Sequence, residues 1–291
     1  MKLPSLNGKT AIVTGGTSGL GFWTARGLVE MGASVIIASH NHKNGVEAVR
    51  KIKTVFPEAR VTFSTLDLAD KNSISNFAKT VKKVDILVCN AGIMMPAERQ
   101  MTNYGVESQF GVNYLGHFML VGLLLPMLKK SKGRVVTVSS MANNPAKFDL
   151  RDATGENKYH PFRLYALSKL STLMFALELD KRSKQNSWGI SAVPIHPGVV
   201  RTKLFSHSPH PFVVFSFIGT MVPILSMSAR WAAKILLFAA TSEKAKSGVF
   251  YGPLLTMIGG PRPAKPPKQA LDPQKRNELW QLSEQITKVS I

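Results

Sequence analysis

The stretch that most constrains the fold of this chain is a glycine turn close to its amino end. Residues 9–14 form a short apolar run that reads as a buried strand. Thr14-Gly15-Gly16-Thr17-Ser18-Gly19-Leu20-Gly21 follows and opens directly into a helical pattern, FWTARGLVEMG. A strand, a glycine turn and a helix start are what pyrophosphate binding needs. Gly15 permits the tight turn, Gly19 lets the backbone approach the phosphates, and Gly21 lets the helix pack close to the sheet. The free N–H groups of the helix start then face the anion. Gly15, Thr17, Ser18, Gly19, Leu20 and Gly21 are therefore candidate dinucleotide contacts. A purely structural strand-to-helix turn is the competing reading, because such a turn alone is a weak signal.

The same strand-then-helix unit recurs. Apolar strand-like runs fall at 33–39, 60–66, 85–89, 133–138 and 189–195, each separated from the next by a helical or mixed segment. This alternation predicts an α/β fold, a doubly wound parallel sheet (Rossmann fold) covered by helices on both faces. No internal repeat or Gly/Ser-rich linker divides the 291 residues, so residues 1–291 read as a single domain. Two segments sit outside the alternation. Residues 203–230 contain an interrupted apolar stretch, PHPFVVFSFIGTMVPILSM, which can line an apolar pocket, touch a membrane surface or form a dimer contact. It is shorter and more broken than a spanning helix. After a helix at 230–240 and a short strand at 249–251, residues 259–291 form an extension. Its part at 259–267 is Pro-rich and irregular, and a terminal helix at 272–286 docks through Leu279, Trp280, Leu282 and Ile286.

The carboxyl ends of the strands concentrate the remaining signals, as expected where an open α/β sheet binds its ligand. The second strand ends in Ser39-His40-Asn41-His42-Lys43, with no acidic residue to hold the adenosine ribose hydroxyls. That tolerates a 2′-phosphate, contacted by His40 or Lys43, and favours NADP over NAD. Asp67-Leu68 ends the third strand. Asp67 either accepts the adenine amino group or caps the helix that starts near Lys71. Asn90-Ala91-Gly92 ends the fourth strand, where small residues let a ligand lie across the sheet. Asn113 stands within the apolar helical stretch FGVNYLGHFML, and a buried amide there needs a partner or a task. His117, four residues on, reads as a packing residue. Ser139-Ser140 ends the fifth strand. His196-Pro197-Gly198-Val199-Val200-Arg201-Thr202 follows the sixth, with Thr202 able to bond an amide or phosphate and His196 structural.

Tyr165 and Lys169 are four residues apart in RLYALSKLSTLMFAL, one turn apart on one helix face. Leu167, Leu170, Met174 and Leu177 recur on another face that can be buried. A nearby ammonium lowers the pKa of a phenol, so the pair can exchange a proton near neutral pH. An interfacial Tyr and Lys on an ordinary amphipathic helix is the plainer reading of this spacing alone.

Charge and cysteine use narrow the function classes. Lys plus Arg number 37 against 17 Asp plus Glu, a formal net charge of +20. Such a balance invites a nucleic-acid or anionic-membrane reading. The basic residues are spread over separate helix faces and loops, which argues against nucleic-acid recognition and leaves attraction to anionic cofactors or lipids. The single cysteine, Cys89, excludes an internal disulfide and a cysteine metal site. With no apolar leader at the amino end, a cytoplasmic address is expected, with peripheral membrane contact as a variant.

Taken together, Thr14-Gly-x-x-x-Gly-x-Gly21, Asn90-Ala-Gly92, Asn113, Ser140, Tyr165-x-x-x-Lys169 and Pro197-Gly198 stand in the order of the short-chain dehydrogenase/reductase family, which the chain resembles over roughly residues 8–255. FGVNYLGHFML, RVVTVSS, YALSKL and HPGVVRT resemble the branch that holds retinol dehydrogenases and the WW-domain oxidoreductase. The resemblance implies reversible hydride transfer with a nicotinamide cofactor, NADP or NAD. It implies Tyr165 as acid/base and Lys169 as the ribose-binding residue that lowers the tyrosine pKa. Ser140 would hold the substrate oxygen, and Asn113 would support a water-linked proton relay. Two positions depart from the branch. Ser39-His40 replaces a common Cys-Arg, which weakens a strict NADP preference, and Cys89 replaces the first asparagine of Asn-Asn-Ala-Gly. The implied substrate is a small hydrophobic alcohol or carbonyl compound such as a retinoid, steroid, polyprenol or fatty aldehyde. A homodimer is compatible with the family. The alternatives are a cofactor-binding redox sensor without turnover and a membrane-surface scaffold.

Overall fold

The computed structural model describes residues 4–154, 158–201, 227–255 and 258–291. The elements run β1 (Thr10–Thr14), α1 (Gly19–Glu30), β2 (Ser34–Ser39), α2 (His42–Val55), β3 (Val61–Thr65), α3 (Lys71–Thr80) and β4 (Ile86–Cys89). Next come α4 (Ser108–Phe110), a π-helical turn at Gly111–Leu115, α5 (Gly116–Ser131), β5 (Arg134–Val138), α6 (Arg151–Thr154) and α7 (Pro161–Gln185). The rest comprises β6 (Ser191–Ile195), β7 (Val200–Arg201), β8 (Met227–Ser228), α8 (Ala229–Thr241), β9 (Tyr251–Pro253), β10 (Pro261–Pro263), α9 (Lys268–Leu271) and α10 (Pro273–Thr287).

The main sheet has the order β10-β9-β6-β5-β4-β1-β2-β3. Its first six strands and β9 pair in parallel, and β10 closes the edge antiparallel to β9. Parallel strands buried on both faces read as continuous apolar runs, which explains TAIVT, ILVC and RVVTV. One core lies under α1, α2 and α8, with Leu28, Ile52 and Leu236 fully buried. The other lies under α3, α5, α7 and α10, with Phe118, Leu170 and Trp280 at its centre. The strand order reverses between β1 and β4. There the connections leave towards opposite sides, which opens a crevice at the carboxyl ends.

Several expectations change. Residues 261–263, inside the Pro-rich stretch, are a strand rather than irregular chain. β10 sits at the sheet edge, where a proline's missing N–H costs no interior ladder bond. α7 is buried nearly all round rather than along one face, because it packs on β5 and β6 and is itself covered by α10. In α10, Leu279 and Trp280 are buried, whereas Leu282 and Ile286 are half-buried and Ser283 and Thr287 take inner positions. Ser283 does so by bonding the Tyr114 hydroxyl. The apolar segment 203–230 lies almost wholly outside the described residues. Its flanks are joined, since β7 pairs with β8 and Met227 N–H donates to the Val199 carbonyl at 2.8 Å. Among the described residues, one helical stretch, Ser108–Ser131, is long and apolar enough to cross a membrane, and it is largely buried in the protein.

Candidate active site

The turn after β1 is held from across the switch point. Gly15 and Gly19 have φ of +65° and +53°, the left-handed region that glycine enters freely. A Cβ on Gly21 would collide with the Gly15 carbonyl oxygen and lie 2.5 Å from Asn90 Nδ2. The helix start, the turn and the end of β4 are thus in direct contact. Asn90 Nδ2 donates to the Thr14 carbonyl at 2.8 Å, and the N–H groups of Asn90 and Ala91 donate to Thr14 Oγ1 at 2.9 and 3.0 Å. Ser18 caps α1 in extended conformation without spending its hydroxyl on the helix. Ser18 is exposed, Thr17 half-buried and Leu20 buried. The first N–H groups of α1 have no intrahelical partner and face the crevice mouth.

At the tip of β2, Ser39 is buried, whereas His40, Asn41 and Lys43 are exposed. Asn41 caps α2 by accepting from Asn44 N–H at 2.9 Å, so the helix begins at His42. Asp67 does not cap α3; Asp70 does, accepting from Asn72 N–H. Asp67 Oδ1 accepts from Ala69 N–H at 2.9 Å, which folds the carboxylate over its own loop at the end of β3. Leu68 is buried, and its carbonyl accepts the Tyr104 hydroxyl.

Asn113 sits inside the π-helical turn, a distortion frequent at functional sites. The turn starts after a short helix capped by buried Glu107, whose carboxylate accepts from Gln109 and Phe110 N–H. The Asn113 amide is fully engaged. Oδ1 accepts from Ile93 N–H at 2.8 Å, and Nδ2 donates to Ile93 O at 3.0 Å and Ser168 Oγ at 2.9 Å. Asn113 therefore clamps the strand exit after Gly92 to α7. A Cβ on Gly92 would lie 2.9 Å from Asn113 Oδ1 and 3.5 Å from Lys169 Nζ, so this glycine keeps open the approach to the lysine.

Tyr165 and Lys169 project from α7 towards the same crevice, both buried. Lys169 Nζ donates to the Val138 carbonyl at 3.0 Å, and burial pushes its pKa down to about 8. It lies 5.8 Å from the centroid of the Tyr165 ring. Burial raises the Tyr165 phenol above its ordinary value, and only the Ser140 hydroxyl pulls it back. The expected lowering of the tyrosine by the lysine is thus not seen: the ammonium lies 5.8 Å from the ring centroid and donates to the Val138 carbonyl. Ser140 Oγ accepts from Ala142 N–H at 3.2 Å, which leaves its proton for the phenol side of the crevice. Met94, Met95 and Ala142 pack against Tyr165. Pro197, Gly198 (φ +76°) and buried Val200 form the turn beyond β6. Thr202 lies outside the described residues.

The structure brings the glycine turn, Asn90–Gly92, Asn113, Ser140, Tyr165 and Lys169 to one end of the sheet. It also reveals supports that sequence reasoning passed over. Ser139 Oγ donates to Lys169 O at 2.7 Å and accepts from Asn143 Nδ2, which fixes α7 against the end of β5. Ser168 holds Asn113, and the Thr172 hydroxyl reaches the Asn113 carbonyl at 3.2 Å. Polar residues inside otherwise apolar stretches were the available signal. Among the described residues no cluster of three or more His, Cys, Asp or Glu side chains could hold a metal ion.

A doubly wound sheet thus carries a glycine turn at its switch point with Ser140, Tyr165, Lys169 and Asn113 at the same end. The approach to Lys169 that Gly92 keeps clear, and the unpaired first N–H groups of α1, suit a dinucleotide cofactor. The sequence matches the short chain dehydrogenase family over residues 9–211, and the chain belongs to that family. It is an NAD(P)-dependent oxidoreductase. It is 34% identical over 293 residues to a polyprenol dehydrogenase of Mus musculus, covering 96% of this chain and 83% of that one. It is 35% identical over 286 residues to retinol dehydrogenase 13 of Mus musculus, covering 95% and 83%. A solved structure of an uncharacterized protein from Mycobacterium paratuberculosis superimposes with a TM-score of 0.83 at 35% identity, covering 99% of this chain and 97% of that one.

Proposed function

We propose that this chain interconverts a hydroxyl and a carbonyl on a small hydrophobic substrate, with NADP as its preferred cofactor. The observation that carries the reading is the convergence of Ser140, Tyr165, Lys169 and Asn113 on one crevice lined by Met94, Met95 and Ala142. The nicotinamide, when bound, supplies or accepts the hydride. Tyr165 gives a proton to, or takes one from, the substrate oxygen. Ser140 aims its free hydroxyl proton at the same oxygen and stabilises the charge that develops there. Lys169, held by the Val138 carbonyl, would bind the nicotinamide ribose and present its ammonium to the phenolate. Asn113 fixes the loop after Gly92 and supports proton movement towards Lys169. Gly15, Thr17, Ser18, Gly19, Leu20 and Gly21 hold the pyrophosphate. Asp67, Leu68, Asn90, Ala91 and Gly92 would hold the adenine side and the span across the sheet, and Pro197, Gly198, Val200 and Thr202 would serve the far end of the cofactor, with Thr202 bonding an amide or phosphate.

Three features favour the 2′-phosphate. The tip of β2 offers no carboxylate, His40 and Lys43 are exposed there, and the N-terminus of α2 opens at the same point. A hydrophobic substrate is favoured by the methionine wall and by the names of the polyprenol and retinol dehydrogenases to which the chain is similar. Substrate binding is the use proposed for the apolar part of 203–230, with peripheral membrane contact and a homodimer contact as its other uses. Free, buried Cys89 suits a reducing, cytoplasmic setting.

The test is consumption of NADPH and NADH side by side, with lipophilic aldehydes and ketones against small polar sugars. Faster turnover with NADPH and with the lipophilic panel supports the reading. Preference for NADH removes the NADP assignment, and turnover confined to sugars removes the hydrophobic one.

A further inference from the structure

We infer that His117 is a positioning residue that holds both the cofactor turn and the catalytic asparagine, each through its own ring nitrogen. It belongs to α5, one turn beyond Asn113, and is buried. Its ring bridges two parts of the site. Nε2 lies 2.9 Å from Thr14 Oγ1, and Nδ1 lies 3.1 Å from the Asn113 carbonyl oxygen.

The protonation pattern follows from the partners. A carbonyl only accepts, so Nδ1 carries the proton. Burial, helped by the nearby Lys169 charge, holds the ring pKa down to about 4, so the ring is neutral at physiological pH and Nε2 is a bare acceptor. Thr14 must then donate its single hydroxyl proton to Nε2 rather than to the more distant Val88 carbonyl at 3.2 Å. This leaves the Thr14 oxygen free to accept from Asn90 N–H and Ala91 N–H. The histidine thereby fixes which way the hydroxyl points. The hydroxyl in turn holds the small-residue exit of β4 against the glycine turn. The other end of the ring holds the carbonyl of Asn113, whose side chain clamps Ile93. Phenylalanine or leucine would fill the same volume without either bond.

The inference rests on the roles proposed above for Asn113 and the turn. Asparagine places an N–H donor near the Nδ1 position, and glutamine places a carbonyl acceptor near the Nε2 position, so two variants separate the two bonds. The experiment uses the full chain, with NADPH affinity from its fluorescence on binding, and with kcat and KM for the best aldehyde of the panel above. His117→Ala should weaken NADPH binding about tenfold and lower kcat, as loss of a buried hydrogen bond implies. His117→Gln should keep NADPH affinity near wild type with a reduced kcat. His117→Asn should show the reverse: weaker NADPH binding and a kcat near wild type at saturating cofactor. Both retain polar reach and most of the volume, so they carry the test if the alanine variant does not fold. Three variants with wild-type affinity and turnover overturn the inference, as do Gln and Asn variants that lose both properties together. A wild-type chain that binds neither NADPH nor NADH would overturn the proposed function as well.

Discussion

The turn after β1 and the inner face of α7 border one crevice and are built in opposite ways. The turn works through backbone. Gly15 and Gly21 admit no Cβ, and the turn's stability comes from Asn90 and Thr14 bonding main-chain groups across the switch point. The α7 face works through side chains. Tyr165, Ser168, Lys169 and Thr172 are all buried, and each of the three polar ones beside the tyrosine bonds a partner from another element. The difference teaches where each region is vulnerable. The first should fail when volume is added, the second when a polar atom is removed.

The largest effect is expected on the α7 side. Lys169→Met should lower turnover by about a hundredfold or more, since a charge aimed at the reacting groups is lost. The same change has a pH signature. The buried lysine has a pKa of about 8 against an ordinary 10.5, so between these values the unfolded chain binds more protons than the folded one. Stability of the cofactor-free wild type should therefore rise relative to the Met variant as pH climbs from about 8 to 10.5, by up to about 3 kcal/mol. Urea unfolding of both proteins across that range measures it; parallel curves would mean that the ammonium is not buried in solution.

A smaller effect separates two glycines of one helix. In Gly21→Ala the new methyl meets the Gly15 carbonyl, which is backbone, and in Gly27→Ala it meets the tip of Leu237. Overpacking against backbone costs about 1–3 kcal/mol, so Gly21→Ala should weaken NADPH binding about ten- to a hundredfold. Gly27→Ala should leave it within a fewfold. Equal effects would make the turn a packing device and not a binding one.

The smallest effect sharpens the contrast. Ser168→Ala removes one of the two acceptors of Asn113 Nδ2 while leaving Ile93 O in place. A loss of about 1 kcal/mol in stability and a severalfold fall in kcat are expected, with NADPH affinity unchanged. A loss of affinity instead would mean that the two regions are not separable.

The same contrast explains what could be read from the sequence. The glycine turn was legible because each glycine answers to its own φ or to a neighbour a few residues away. The six parallel strands were legible as apolar runs between turns. The polar supports of α7 were not, since their meaning lies in distant partners: Ser168 meets Asn113 55 residues away, and His117 meets Thr14 103 residues away. Spacing alone set Tyr165 beside Lys169 correctly, yet it misjudged the phenol, whose pKa depends on burial that a four-residue interval does not encode. β10 escaped because an edge strand made of Pro-Arg-Pro carries no alternation.

The central claim is that Tyr165 moves the proton. Its most direct test is aldehyde reduction followed by NADPH consumption in wild type and Tyr165→Phe, with cofactor affinity and thermal stability measured on the same samples. A fall in kcat of about 10²- to 10⁴-fold with affinity and stability retained is expected, because the phenylalanine keeps the buried ring and loses only the acid. A Phe variant that still turns over within a fewfold of wild type would contradict it.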